Sequence, residues 1–311
     1  MNEFEIIERF FVENSPALGV KVGPGDDCAV LEVSSGEQLI VTTDTLVEQV
    51  HFPVLSPPEK LGYRSCATAL SDIAAMGGRA RWASLALTLP EMDSAWLTSF
   101  VAGFRQALSI DETSLVGGDL TRGPLSITWH ITGTVNNNGA ILRSGAKVGD
   151  EIYVSGQLGA AAYALNFLAE ASSNHACLAA YWSPTPRLAL GRELARLASC
   201  CIDISDGLLA DLSHILKASG KGANIECPSI PVHPALHELD HAEQLQYALA
   251  GGDEYELCFT SKPGCTERLE ALSRAYNLPL TRIGEIVEMN NENLIHASTG
   301  EALHAQGYKH F

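Results

Sequence analysis

Five times along this chain a short apolar run meets glycines, hydroxyls and carboxylates, and that recurrence constrains the fold more than any other feature. The sharpest case is Leu39-Ile40-Val41-Thr42-Thr43-Asp44-Thr45. Its three consecutive apolar residues, two of them β-branched, read as a short buried strand. The strand is expected to end where the hydroxyls and the carboxylate begin. The other cases are Gly23-Pro24-Gly25-Asp26-Asp27, Ser71-Asp72 within a helical pattern, Gly117-Gly118-Asp119 after Ser114-Leu115-Val116, and Cys201-Ile202-Asp203-Ile204-Ser205-Asp206-Gly207. One such edge is an ordinary turn, because Gly, Asp and Ser favour turns. Five together point to strand ends that open onto a site. Clusters that offer only oxygen suit a hard cation such as Mg²⁺.

A net charge of −17 argues against a surface that binds nucleic acid or anionic lipid, since phosphate needs clustered Lys and Arg. With 311 residues, 46% hydrophobic and only 18% charged, the chain can build two domains with sizeable cores. Its eight cysteines, at 28, 66, 177, 200, 201, 227, 258 and 265, form no C-x-x-C pair and mostly sit in apolar runs. They read as reduced core residues, with no zinc site. Met1-Asn2-Glu3-Phe4-Glu5 carries no basic and apolar leader, and no apolar run approaches the roughly 18 residues of a membrane span. A soluble cytoplasmic protein is expected.

The periodicity predicts a helix over 3–13 with Phe4, Ile7, Phe10 and Phe11 on one face, strands at 29–33 and 39–43, and a helix from Ser56-Pro57-Pro58-Glu59 to Met76. Asp72 then lies in the last turns, where a carboxylate opposes the helix dipole and needs another reason to exist. A strand at 82–89 precedes a helix capped by Asp93, with Trp96, Leu97, Phe100, Val101, Phe104 and Leu108 as its apolar face. A short strand at 114–116 and a long one at 125–135 follow. The polar connector Arg143-Ser144-Gly145-Ala146-Lys147-Val148-Gly149-Asp150 places the domain boundary near 148, giving domains 1–148 and 149–311. The second domain is expected to hold strands at 151–154, 201–204, 255–260 and 281–287. Helices are expected near 158–170, 186–198, 265–276 and from a Ser205 cap to Gly220, before a loop-rich tail ending Gly307-Tyr308-Lys309-His310-Phe311.

The P-loop, the dinucleotide G-x-G-x-x-G, the protein-kinase signatures and G-x-S-x-G are all absent. A nucleotide must therefore be gripped another way. Several Mg²⁺ ions on carboxylates, with close backbone N–H groups at Gly117-Gly118, are one such way. His51, a few residues past Asp44, is the one histidine near the acid clusters of the first half that invites a functional reading.

Taken jointly, these segments resemble the thiamine-monophosphate kinase family, of the superfamily that includes aminoimidazole ribonucleotide synthetase and selenophosphate synthetase. The resemblance rests on Gly25-Asp26-Asp27-Cys28-Ala29, Thr42-Thr43-Asp44-Thr45-Leu46-Val47, His51-Phe52, Ser71-Asp72-Ile73-Ala74-Ala75-Met76-Gly77, Gly117-Gly118-Asp119-Leu120-Thr121-Arg122-Gly123-Pro124, Arg143-Ser144-Gly145-Ala146, Asp203-Ile204-Ser205-Asp206-Gly207-Leu208 and Gly251-Gly252-Asp253-Glu254-Tyr255-Glu256-Leu257. They stand in family order over nearly the whole chain.

The resemblance implies an α/β (α+β) chain of two domains, like aminoimidazole ribonucleotide synthetase. An N-terminal mixed sheet would pair across a homodimer, and a C-terminal α/β domain would follow. It implies transfer of the γ-phosphoryl group of ATP to thiamine monophosphate. The implied Mg²⁺ ligands are Asp27, Thr42, Thr43, Asp44, Asp72, Asp119, Asp203 and Asp206; the implied ATP contacts are Gly118, Asp119, Arg143 and Ser205; the implied substrate contacts are His51, Asp253 and Tyr308. A phosphate monoester acceptor is already largely anionic near neutral pH and needs no general base. It needs charge neutralisation between two anions, from Mg²⁺ and Arg143. Tyr308 can stack on a thiamine ring. Where the family commonly reads Gly-Gly-Glu-Asp-Tyr this chain reads Gly-Gly-Asp-Glu-Tyr, so both Asp253 and Glu254 stand as the acid that meets substrate. Two rivals remain: a relative that activates an amide oxygen or makes selenophosphate, and a non-catalytic protein that binds Mg²⁺ and nucleotide. The acceptor-side segments 42–52 and 251–257 favour the kinase.

Overall fold

The computed structural model describes residues 3–12, 18–168, 175–289, 294–304 and 307–308. Parts of the expected helices at 3–13 and 158–170 (residues 13, 169 and 170), the Phe4 side chain and the tail residues 309–311 lie outside them. The chain divides into two compact units, Met1–Ile73 with Gly78–Gly139, and Ala74–Gly77 with Ala140–Phe311. The polar connector groups with the second unit, where the N–H groups of Gly145 and Ala146 donate to Ser219 Oγ.

The first unit opens on α1 (Glu3–Ile6), continued by a wider turn over Ile7–Phe11, and on the small antiparallel pair β1 (Val20–Val22) and β2 (Val30–Leu31). Its main sheet comprises β3 (Glu37–Val47), β4 (Arg79–Leu89), β5 (Ser114–Arg122) and β6 (Ser126–Asn136), in the order β3-β6-β4-β5. β6 runs antiparallel to β3 and β4, and β4 is parallel to β5. Helices α2 (Pro58–Ala75) and α3 (Ser94–Leu108) supply the apolar surface that such a sheet must bury on one side. Asp93 caps α3 as expected, accepting from the N–H groups of Ala95 and Trp96. The periodic face of α3 is buried through Leu97, Phe100, Val101, Phe104 and Leu108, with Trp96 stacked on Phe100 and Phe104 edge-on to Trp129. Each fully buried ring of this kind stabilises the fold by roughly 1.5–3 kcal/mol.

Two predicted strand ends turn out to be strand interiors. β3 continues through Thr42-Thr43-Asp44 to Val47, and β5 continues through Gly117-Gly118-Asp119 to Arg122. Side chains alternate along a strand. Thr42 and Asp44 therefore face one way and Thr43 and Thr45 the other. The second face stays exposed, and there Thr43 and Thr45 meet His130 and Thr128 at 2.9 Å each.

The second unit is a six-stranded sheet in the order β12-β9-β11-β7-β10-β8. Its strands are β7 (Glu151–Ser155), β8 (Ala198–Asp203), β9 (Lys221–Ile225), β10 (Leu257–Ser261), β11 (Leu280–Glu288) and β12 (Leu294–His296). Its helices are α4 (Ala160–Ala164), α5 (Leu178–Trp182), α6 (Leu188–Leu194), α7 (Leu208–Ser219), α8 (His241–Ala250) and α9 (Thr266–Tyr276). The core joins Ile152 and Val154, Cys200 and Ile202, Leu208, Leu212 and Ile215, and Cys258. All eight cysteines are free thiols; only Cys28 is exposed, and Cys265 is half-buried. Among the described residues no helix is long and apolar enough to cross a membrane.

α2 and α3 cross at paired glycines. A Cβ on Gly103 would overlap the Glu59 carbonyl, and one on Gly62 the Phe100 carbonyl. Gly103→Ala is expected to cost about 1–3 kcal/mol, the usual price of overpacking. Urea unfolding checks it, and an unchanged midpoint contradicts the close crossing.

Candidate functional site

In the first unit the oxygen ligands expected from the sequence fall into two groups. Thr42 and Asp44 on β3 meet Asp72 on α2, where the Thr42 hydroxyl donates to Asp72 Oδ2. Burial first, and the Asp72 carboxylate second, push the Asp44 carboxyl up to about 6. Asp27, Gly118 and Asp119 instead share a cavity of about 420 Å³. Its walls are the loop Pro24–Ala29, the β5 stretch Leu115–Leu120, Leu85 and Leu87 of β4, and Ile7 with Phe11. Gly118 has a structural reason to be glycine, because a Cβ there would overlap the Leu85 carbonyl on the neighbouring strand.

Thr43 is not brought to Asp44. The pleat turns its hydroxyl to the exposed face, against His130. His51 lies in the turn after β3, where its Nδ1 accepts the Val47 N–H at 3.0 Å. That bond places the proton of the neutral ring on Nε2.

In the second unit the turn Ile204-Ser205-Asp206-Gly207 gathers most of the expected residues. Asp203, at the end of β8, is buried. The Ser205 carbonyl accepts the Asp253 N–H at 2.8 Å, the Ile204 carbonyl accepts the Tyr255 N–H at 2.8 Å, and the Asp206 carbonyl accepts the Tyr308 N–H at 3.2 Å. Asp203, Ser205, Asp206, Asp253 and Tyr308 are thus assembled on one loop cluster. Arg143 is not part of it at the backbone: its carbonyl accepts from Ser219 Oγ at the far end of α7. Twelve helical residues separate the two ends, about 18 Å.

The adjacent acids of the Gly-Gly-Asp-Glu-Tyr segment have different environments. Glu254 turns inward, where its carboxylate accepts the N–H groups of Gly159 at 2.9 Å and Ala161 at 3.1 Å. Burial pushes its carboxyl up to about 8. Asp253 is half-buried, sits at φ 67°, and accepts the Tyr255 hydroxyl at 3.0 Å.

Ser205 does not cap α7 as expected. Gly207 occupies the cap position at φ 124°, and the N–H groups of Ser205, Asp206 and Gly207 all donate to Asp211 Oδ2, at 3.0, 3.0 and 3.1 Å. Sequence reasoning passed over Asp211. Its signal was an acid one place before Leu212 and three after Leu208, on the buried stripe of an apolar helix, where it needs partners. A second omission is Glu256, which takes the Ser155 hydroxyl and a two-pronged Arg187 guanidinium.

Among the described residues, no three His, Cys, Asp or Glu side chains converge as a self-sufficient metal cage. The Asp44–Asp72 pair with Thr42 is an oxygen-only set of two carboxylates. That fits the way Mg²⁺ is usually held, by one or two carboxylates with water and substrate phosphate completing its shell.

The family model described as AIR synthase related protein, N-terminal domain, matches residues 25–135, and its C-terminal counterpart matches residues 147–297. A thiamine-monophosphate kinase of Haemophilus influenzae is 42% identical over 299 residues, covering 93% of this chain and 90% of its own. The crystal structure of thiamine-monophosphate kinase from Stenotrophomonas maltophilia superposes with a TM-score of 0.88 at 39% identity, over 97% of this chain and 98% of that one. A structure described as AaThiL complexed with AMPPCP and TMP superposes with a TM-score of 0.80 at 29% identity, over 90% and 89%.

The raised Asp44 carboxyl sets a pH dependence. The folded state holds its proton more tightly than the unfolded chain, so its contribution to stability is fully present below the ordinary value of 3.8. That contribution is lost as pH rises through about 6. In chelator, the melting temperature of the wild type should fall across this window relative to Asp44→Asn. Parallel profiles would contradict the assignment.

Proposed function

From the thiamine-monophosphate kinase family, to which this chain belongs, we infer that the protein transfers the γ-phosphoryl group of ATP to thiamine monophosphate, forming thiamine diphosphate. The observation that carries this reading is the near full-length likeness to a structure holding both AMPPCP, an ATP analogue, and TMP. The site chemistry supports it. Donor and acceptor are both anionic, and the reaction is governed by bringing two phosphates together in line. No general base is required of the protein.

In the first unit, Asp44, Asp72 and Thr42 would hold Mg²⁺, as would Asp27 and Asp119 beside the Gly117-Gly118 backbone. When bound, the metal supplies neutralisation of phosphate charge. The apolar walls of the Asp27–Asp119 cavity suit a nucleobase, and its acids suit the metal-bound phosphates. Thr43, facing the other way, would contribute through its backbone or not at all. In the second unit, Ser205 would contact the nucleotide, and Asp203 and Asp206 would hold metal. Arg143 would meet phosphate on the family resemblance alone, since its backbone lies at the other end of α7 from the Ser205 turn.

Asp253, Tyr308 and His51 would meet thiamine monophosphate. Asp253 would be the acid of its pair that does so: the Glu254 carboxylate accepts the N–H groups of Gly159 and Ala161, which supports this choice. Tyr308 is 50% exposed, and an aromatic side chain is of the kind that stacks on a heterocycle. A homodimer through the first unit is supported by β3, an edge strand of eleven residues with Leu39 and Val41 about half exposed. Eight free thiols fit a cytoplasmic site of action.

Asp44→Asn tests the reading against a non-catalytic nucleotide binder. It should lower kcat for thiamine diphosphate formation by roughly 100-fold or more, the several kcal/mol that such charge stabilisation supplies. Unchanged turnover in Mg²⁺ would remove Asp44 from the site.

A further inference from the structure

In the turn Ile204-Ser205-Asp206-Gly207 every backbone N–H and carbonyl has a hydrogen-bond partner. The N–H groups of Ser205, Asp206 and Gly207 all go to a single oxygen, Asp211 Oδ2. The Ile204 N–H goes to the Glu256 carbonyl at 2.8 Å. The carbonyls go outward: Ile204 to Tyr255, Ser205 to Asp253, Asp206 to Tyr308, and Gly207 back to the Asp211 N–H at 2.9 Å. Close approach is built in on both sides. A Cβ on Gly252 would overlap the Ser205 carbonyl, and one on Gly307 would stand 2.7 Å from the Asp206 carbonyl. Asp211 itself is buried, 3% exposed, among Leu208, Leu209 and Leu212. A carboxylate kept in that setting needs a compensating role.

We propose that Asp211 is the positioning residue for this loop cluster: one carboxylate oxygen gathers three successive N–H groups and so fixes a turn that displays Ser205 and Asp206 while its carbonyls hold the segments carrying Asp253 and Tyr308. The inference rests on the kinase reading, which gives Ser205 and Asp206 to the nucleotide and metal and Asp253 and Tyr308 to the acceptor. On this account the two sets of contacts share a single mechanical origin. Loosening the turn disturbs both, although Asp211 touches neither substrate.

Three observations on the full-length protein test it. In nucleotide-free wild type, the amides of residues 205–207 should be protected from hydrogen exchange, because their partner is internal. Exchange at the rate of open loops would overturn the proposal, and this arm stands even if no Asp211 variant folds. Asp211→Asn keeps one acceptor oxygen of the same reach but makes it a weaker acceptor for all three N–H groups and puts an NH₂ donor beside it. In folded protein it should weaken Mg²⁺-dependent AMPPCP binding, and lower kcat/KM for thiamine monophosphate, by about 10- to 100-fold each, the scale of a misplaced reactive group. Combined with Asp206→Asn, it should add little beyond the worse single variant, since both act through one turn. Fully additive losses, or a lower melting temperature with unchanged AMPPCP affinity and kcat/KM, would reduce Asp211 to a structural residue. If wild type binds AMPPCP but makes no thiamine diphosphate, the acceptor reading fails, and the AMPPCP and exchange arms still decide the role of Asp211.

Discussion

Two carboxylates that share one partly buried cluster dominate the first unit. Asp44 and Asp72 approach each other from a strand and a helix, with the Thr42 hydroxyl bound to one of them. Burial first, and repulsion from the Asp72 carboxylate second, keep a proton on Asp44 up to about pH 6. On the proposed metal reading, the closeness of the two carboxylates, which contributes to the raised proton affinity, would also favour Mg²⁺. An excess of acids over bases across the whole chain, net −17, is consistent with a protein whose ligands are phosphates carried in on metal.

The second unit solves a different problem with backbone groups. Its loop cluster is held by hydrogen bonds from two segments far away in sequence, 253–256 and Tyr308, and from the nearby Asp211, all closing on four residues after β8. Buried backbone groups must all find partners. Here three of the four donors find one carboxylate, and three of the four acceptors find the segments that would bear substrate. Gly207, Gly252 and Gly307 permit the approach. Hydrogen bonds of this kind fix the course of the turn, as suits a reaction that asks for placement rather than proton transfer.

Much of this was legible in the sequence because the motifs are polar residues in places where polarity has to be explained. The Asp93 cap, the apolar face of α3, the Gly220 stop and most helices follow from local patterns. What local pattern missed was decided by distant partners. β3 and β5 run straight through Thr-Thr-Asp and Gly-Gly-Asp because their ladders with β6 and β4 satisfy the backbone, whatever the side chains suggest. β9, Lys-Gly-Ala-Asn-Ile, has little strand character alone and exists through pairing with β11. The start of α8 is marked in the sequence by the capping box of Asp240 and Glu243. The separate environments of Asp253 and Glu254 could not be read from two neighbouring letters, since only the fold brings Gly159 and Ala161 to one of them.

The central claim is that the terminal phosphoryl group of ATP passes directly to a phosphate acceptor. The most direct measurement follows γ-labelled ATP, incubated with Mg²⁺, thiamine monophosphate and the purified protein. The label should appear in thiamine diphosphate, in step with ADP and only when Mg²⁺ is present. Label released solely as inorganic phosphate, with thiamine monophosphate unchanged, would contradict the account.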